Sequence, residues 1–129
     1  MLVAHVVSRD VPTVHPEDDV LSAARRLLET SSGVVPVVVD DDRGARVVGL
    51  LSYQDAFAAT WGSRAEPHAA VRVASAMSEA ACTCRASDSL GLALRLLRRT
   101  HADALPVVDG DGYLVGVLSL ADLVRQAAR

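Results

Sequence analysis

The chain has 129 residues, a net charge of −3, half of its residues hydrophobic and only four aromatics. That length suits one compact domain with an aliphatic core, and halves of about 60 residues would each be too small to hold a secure core alone. Lysine is absent and the thirteen arginines are scattered among acids, so the basic stripe expected of a nucleic-acid-binding surface is missing.

The opening Leu2-Val3-Ala4-His5-Val6-Val7 meets Arg9-Asp10 at once. It is too short for a signal-peptide core, and no run approaches the roughly 20 apolar residues of a membrane span. A soluble, cytoplasmic protein without membrane or nucleic-acid partners is expected.

Val11-Pro12-Thr13-Val14 reads as a short extended stretch leading into a helix with Asp18 as its expected N-cap, since a carboxylate there accepts first-turn N–H groups. Val20, Ala23 or Ala24, Leu27 and Leu28 recur at helical spacing, with Arg25-Arg26 on another face. Val34-Val35-Pro36-Val37-Val38-Val39 is a continuous apolar run, the pattern of a strand buried on both sides. Its proline points to a strand entry or edge, where a missing N–H is tolerated. The acidic turn Asp40 to Gly44 and the run Arg46 to Leu51 complete a hairpin, and a helix follows over about Tyr53 to Thr60. Gly62 to His68 alone has linker composition.

The second half repeats this order. Ala81-Cys82-Thr83-Cys84 is extended, Asp88 is the expected cap, and Leu90, Ala93 or Leu94, and Leu97 mark the helix. Ala104 to Val108 and Tyr113 to Leu118 flank the turn Asp109-Gly110-Asp111-Gly112, and Leu120 to Ala128 is the closing helix. Ser8, Thr13, Asp18, Ala23, Leu27, Thr30, Pro36 and Val37 recur in register as Ser78, Thr83, Asp88, Ala93, Leu97, Thr100, Pro106 and Val107. After a longer turn in the first copy, Val48, Gly49, Leu51, Ser52 and Asp55 recur as Val115, Gly116, Leu118, Ser119 and Asp122. The expected architecture is therefore α/β (α+β), a β-α-β-β-α unit written twice. The repeats are assigned to residues 1–62 and 71–129, with a linker at 63–70. Twin units of this kind pack against each other because neither buries its apolar face alone. The halves should share one core, with a pseudo-twofold cleft between them.

This ordered set of motifs, ending each time in Val-Gly-apolar-Leu-Ser-x-x-Asp, resembles the CBS domain, and two in tandem resemble a CBS pair, or Bateman module. The resemblance covers about Leu2 to Trp61 and Val71 to Arg129. It implies a disc-shaped pair, commonly a homodimer, with clefts that take adenosine compounds: AMP, ADP, ATP or S-adenosylmethionine. It further implies that Asp55 and Asp122 accept hydrogen bonds from ribose hydroxyls. Ser52, Ser119, Thr13 and Thr83 would lie near ribose or phosphate. Val35 with Pro36, and Leu105 with Pro106, together with Val34 and Ala104, would hold the adenine.

Each of these residues also has a reading without a ligand. Ser-x-x-Asp at a helix start is a capping box, threonine suits a strand, and the Val and Leu positions are core in either case. A helix N-terminus does favour an anion, and a carboxylate is an acceptor suited to a diol. For a phosphate, Arg85, Arg99, His101 and His15 are the candidate cations, and so thin a provision favours a monophosphate or S-adenosylmethionine over a triphosphate.

Cys82 and Cys84 share a strand face but lack partners at zinc-like spacing, and they read as small buried hydrophobes. His5, His15, His68 and His101 are not clustered, and His101 reads as a helix C-terminal cation. Trp61 is expected to pack where the first repeat ends. No nucleophile, base and orienting group form a catalytic set, so an enzyme is not expected and no cofactor is implied beyond a regulatory nucleotide. The sequence thus points to a regulatory module that senses an adenosine nucleotide and acts on a regulated protein. The alternatives are a ligand-free interaction or dimerisation module and, third, a thiol or metal sensor built on Cys82 and Cys84.

Overall fold

The computed structural model describes residues 1–62, 71–79 and 82–128. The expected linker at 63–70, with His68, and the position of Ala81 lie outside the described residues. Each half contains a helix, an antiparallel hairpin and a second helix. The first half has α1 (Val20–Leu28), β1 (Val34–Asp41), β2 (Gly44–Ser52) and α2 (Tyr53–Thr60). After α3 (Val73–Ala76) and β3 (Ser78–Glu79), the second half has α4 (Leu90–Thr100), β4 (Ala104–Val108), β5 (Leu114–Ser119) and α5 (Leu120–Ala127). The mixed α+β class read from the sequence is the class observed.

The extended stretch before each first helix is reduced from the expected strand to a single parallel bridge, Val14 to Val37 and Cys84 to Val107. Val14 N–H donates to the Pro36 carbonyl at 3.1 Å, and Cys84 N–H to the Pro106 carbonyl at 3.1 Å. Each proline therefore faces a ladder one residue long, where its missing N–H forfeits little. On the other side, β1 pairs with β2 from Val34–Ser52 to Asp41–Gly44, and β4 pairs with β5. Both hairpins shift register at the same repeat position, after Val37 and after Val107.

The helix caps fall one residue later than expected. Asp19 accepts from Leu21 N–H and Ser89 from Leu92 N–H. Asp18 and Asp88 are occupied closing the preceding turn, where they accept the N–H groups of His15 and Arg85, both at 2.8 Å. A carboxylate bent back to a residue three earlier is not available to the helix ahead of it. Val20, Ala23 and Leu27 of α1 are buried, whereas Leu28 is 75% exposed.

The two halves exchange their leading segments. Residues 1–8 run along the second half: Val3 N–H donates to the Asp88 carbonyl, Ala4 N–H to that of Ala86, and Ser8 bonds Val117 in both directions. Residues 71–79 do the same on the first half, with Val73 N–H to Asp18, Ala74 N–H to Pro16, and β3 paired to β2 through Gly49 and Leu50. The glycine of each Val-Gly motif makes this possible. A Cβ on Gly116 would stand 2.3 Å from the Ser8 carbonyl oxygen, and one on Gly49 would stand 2.8 Å from that of Ser78.

The exchange also divides the core. One buried cluster joins Val3 and Val6 to Cys84, Ala93, Leu97, Leu105, Val107 and Leu118. The other joins Val73 to Val14, Ala23, Leu27, Val35, Val37, Leu51 and Ala56. The expectation of one shared core is corrected to two, each completed by apolar residues from the opposite half. Burial of two valines such as Val3 and Val6 is worth about 1.5–3 kcal/mol each, enough to hold the exchanged segment in place.

At the turn end of the hairpins the halves are also tied. Arg43 pairs with Asp111 at 2.7 Å, and the guanidinium carbons of Arg43 and Arg46 lie 5.0 and 4.9 Å from the centre of the Tyr113 ring. The Tyr113 hydroxyl donates to Asp41 at 2.6 Å and accepts from Arg46 at 3.0 Å. At the opposite strand ends the halves are tied through Ser31, which bonds Asp122 and Arg125, while Val34, Ser52 and Ala104 face a cavity.

Candidate ligand-binding site

Each return strand hands over to a helix at a Ser-x-x-Asp motif. In the first half, Ser52 Oγ accepts from Asp55 N–H at 3.2 Å, and the Asp55 carboxylate accepts from Ser52 N–H at 3.1 Å. This is a reciprocal capping box. It leaves the carboxylate with spare acceptor capacity, met among the described residues by the Ser78 hydroxyl at 3.3 and 3.4 Å.

Asp55 opens onto a cavity of about 360 Å³, within the range of about 300–1,000 Å³ usual for small-molecule sites. The first half contributes Val34, Leu50, Ser52, Gln54 and Asp55, and the second contributes Thr100 to Leu105. Ser78, Glu79 and Cys82 form the remaining wall. A neighbouring recess of about 470 Å³ shares Val34, Ser52, Gln54, His101 and Asp103 and adds the run Thr30 to Gly33 with Tyr53. Val34, Leu50, Ala104 and Leu105 make part of the lining apolar, and Ser52, Asp55, Ser78, Glu79 and Asp103 bring hydroxyls and carboxylates.

His101 lines both recesses. It ends α4 with a φ of 53°, the only non-glycine residue at positive φ among those described, a conformation that carries strain for a residue with a Cβ. Its place was expected to be a helix C-terminus, and it is. Of the four candidate cations for a phosphate, Arg85, Arg99, His101 and His15, it is the one that lines these recesses.

The second motif is arranged differently. Ser119 accepts from Asp122 N–H at 3.1 Å, but the Asp122 carboxylate turns away and takes three side-chain donors: Ser31 at 2.7 Å, Arg125 at 3.0 Å and Ser8 at 3.1 Å. Arg125 also donates to the Ser31 carbonyl at 3.1 Å. Desolvation pushes the Asp122 carboxyl up, but the hydroxyls of Ser31, Ser119 and Ser8 and the Arg125 charge together outweigh it and hold the carboxyl below its ordinary value. Ser31 and His101 occupy the same position of the two repeats. Serine there reaches the neighbouring carboxylate, whereas histidine leaves a cavity.

The structure thus gathers Ser52, Asp55 and Leu105, with Val34 and Ala104, around one cavity. It places Ser119 and Asp122 at a junction where the carboxylate is engaged by the chain's own side chains. Val35, Pro36 and Pro106 are buried within β1 and β4, Thr13 is partly exposed and Thr83 is exposed, and none of these lines either recess. Ser78 and Ser8 were legible as a matched repeat pair. Glu79 and Asp103 carried no motif.

Cys82 and Cys84 are free thiols. Cys84 is buried as expected, and burial chiefly, with Asp88, pushes its thiol up to about 11, so it is an inert core residue. Cys82 instead is half-buried and lines the cavity. Among the described residues no three His, Cys, Asp or Glu side chains are grouped for a metal ion, and no helix is long and apolar enough to cross a membrane.

The chain is 28% identical over 122 residues to an inosine-5′-monophosphate dehydrogenase of Thermoplasma acidophilum, an alignment covering 94% of this chain and 22% of that protein. The chain therefore spans under a quarter of that relative's length. Among solved structures, CBSX2 in complex with AMP superposes with a TM-score of 0.82 at 28% identity, covering 98% of this chain and 96% of that one. The CBS domain pair of MJ0100, in complex with 5′-methylthioadenosine and S-adenosyl-L-methionine, shares the fold with a TM-score of 0.81 at 20% identity, covering 99% and 96%. The CBS-domain family profile matches residues 3–62 and again 73–129. Two matches in tandem over most of its length make this chain a member of the CBS-domain family, a CBS pair.

Proposed function

We propose that this CBS pair is a regulatory module that binds an adenosine ligand in the Asp55 cleft and signals through the arrangement of its two repeats, 1–62 and 71–129, joined at 63–70. The observation that carries this reading is the Asp55 carboxylate, an acceptor with spare capacity, facing a cavity built from both repeats. In this reading Asp55 accepts the ribose hydroxyls and Ser52 lies beside the 5′ carbon. Ala104 and Leu105, with Val34 opposite, hold the adenine, while Thr83 and Pro106 support that wall from behind. The complex of CBSX2 with AMP, a CBS pair of nearly the same extent, supports the ligand class. Asp122, Ser119, Thr13, Val35 and Pro36 are the repeat counterparts of these groups, at a junction whose carboxylate already has three donors from the chain itself.

A ligand touching both repeats favours whichever relative angle suits it, by its difference in affinity for the two arrangements. The chain performs no chemistry itself and acts on another protein in the cytoplasm. It works as a homodimer through the exposed apolar side chains of Tyr53 and Phe57 on α2, Trp61 just past its end, and Leu120 and Val124 on α5. This stripe follows every fourth residue, the spacing of one helix face.

Thermal unfolding with AMP, ADP, ATP and S-adenosylmethionine tests the reading, since a ligand bound only by the folded state raises the midpoint. The expected result is a rise with at least one ligand that is lost in Asp55→Asn and kept in Asp122→Asn. No rise with any of them at millimolar concentration overturns it and leaves the interaction-module alternative.

A further inference from the structure

The cleft is poor in positive charge and rich in negative. Asp55, Glu79 and Asp103 all line the same cavity, and His101 is the only basic side chain among its described lining residues. None of the ion pairs among the described residues engages those three carboxylates. Arg98 and Arg99, in the last turn of α4, are exposed and outside the lining. Arg125, which touches Ser31 at the edge of the neighbouring recess, is committed to Asp122.

The backbone adds to the same field. The C-terminal turn of α4 ends at the cavity, with Thr100, His101 and Ala102 in its wall, and a helix C-terminus carries partial negative charge. The N-terminus of α2 opposes it only in part, since the Asp55 N–H is taken by Ser52 Oγ and the acidic Asp55 side chain sits in that same first turn, where it offsets the partial positive charge. A cavity this small lies within one Debye length, about 8 Å at physiological salt, so a 5′ substituent anywhere inside it feels these carboxylates.

We propose that the cleft selects an adenosine derivative whose 5′ substituent is neutral or cationic, a thioether or a sulfonium, over one bearing phosphate, and that Glu79 and Asp103 set this choice. The inference rests on the adenosine reading above and narrows it. Asp55 is committed to the ribose in either case, so it does not discriminate. Glu79 is on β3, paired to the first repeat's β2, and Asp103 comes just before β4 of the second, and both line the cavity. A phosphate there would meet like charge, whereas a sulfonium or an ammonium would find a counter-ion.

Titration calorimetry on the full chain with 5′-methylthioadenosine, S-adenosylmethionine, AMP and ATP, at low and at physiological salt, separates the possibilities. The expected result is that the two sulfur compounds bind about tenfold or more tightly than AMP at low salt, with ATP weaker still and the gap narrowing as salt rises. In a Glu79→Gln, Asp103→Asn double variant, whose unliganded melting point guards against misfolding, the ratio should fall to about threefold or less. AMP or ATP binding as tightly as the sulfur compounds, or a ratio unmoved in the double variant, overturns the selection and leaves the adenosine site standing. Binding of none of the four overturns both.

Discussion

Ser31 and Asp122, 91 positions apart in the chain, meet in a 2.7 Å hydrogen bond from hydroxyl to carboxylate. That contact belongs to one repeat junction only, because His101 stands where the other junction would have the serine. With Arg125 and Ser8 it satisfies Asp122 internally, so the two Ser-x-x-Asp motifs, alike in sequence, are unlike in what they leave free. One ligand per chain is the expected stoichiometry by calorimetry. Asp122→Asn should leave that number unchanged while lowering stability by about 2 kcal/mol, the scale of a hydrogen-bonded charge lost at a site 16% exposed. Two ligands per wild-type chain would contradict this.

The same carboxyl gives a pH signature. Its value in the folded chain lies below the ordinary one, so its stabilisation is fully present above the ordinary carboxylate value and is lost as pH falls through the depressed one. Acid denaturation followed by circular dichroism should show the wild type and Asp122→Asn converging as pH drops below about 4.

His15 has the opposite sign. The hydrogen bond to Asp40 is the largest influence, and it raises the imidazole against the opposing effect of partial burial. A raised value means stability present below the ordinary 6.5 and lost as pH rises through the folded value. Because the pair is well exposed, the effect is small, about 0.5 kcal/mol. Urea midpoints between pH 5.5 and 8, numbers set by the ordinary imidazole range of about 6.5, should fall less in His15→Gln than in the wild type.

The Val-Gly motifs predict a graded pair of variants. Gly116→Ala drives a Cβ against the Ser8 backbone at 2.3 Å, whereas Gly49→Ala meets the Ser78 carbonyl at 2.8 Å and the flexible Met77 side chain at 2.9 Å. Overpacking of this sort costs about 1–3 kcal/mol, and Gly116→Ala should sit at the upper end. Equal urea midpoints for the two would show that the exchanged segments yield without cost.

Cys82 offers a reporter of occupancy. It lines the cavity while Cys84 is buried with its thiol pushed up to about 11, so a maleimide should label one cysteine per folded chain. A ligand seated against Leu105 should slow that labelling about tenfold, provided it is present well above its dissociation constant. Unchanged labelling at saturation would place the ligand elsewhere.

Much of this was legible because a duplicated pattern is its own control. Hairpins, helix faces and the Ser-x-x-Asp boxes recur at matching positions, and their periodicities were strong. The N-caps slipped by one residue because two acidic or polar residues stand side by side at each helix start, Asp18-Asp19 and Asp88-Ser89, and only the turn geometry decides which one bends back. The exchange of leading segments left almost no trace. Ser78–Glu79 is a strand of two exposed polar residues, too short for any alternation to register. The inequality of the two junctions was visible only as single unmatched pairs, Ser31 against His101 and Ala58 against Arg125, within the repeating frame.

The exchanged segments have a consequence for how such a chain is put together. A single repeat built this way would lack the strand beside its own Val-Gly motif and the valines that close its core. It would be complete only around a second copy of itself, paired by mutual swap. Joining the copies in one chain turns that encounter into an intramolecular event, at an effective concentration of the order of millimolar for a short tether. The closed form then no longer depends on how much protein the cell makes. Once the copies are joined they are also free to differ, and the serine at one junction and the histidine at the other record that freedom.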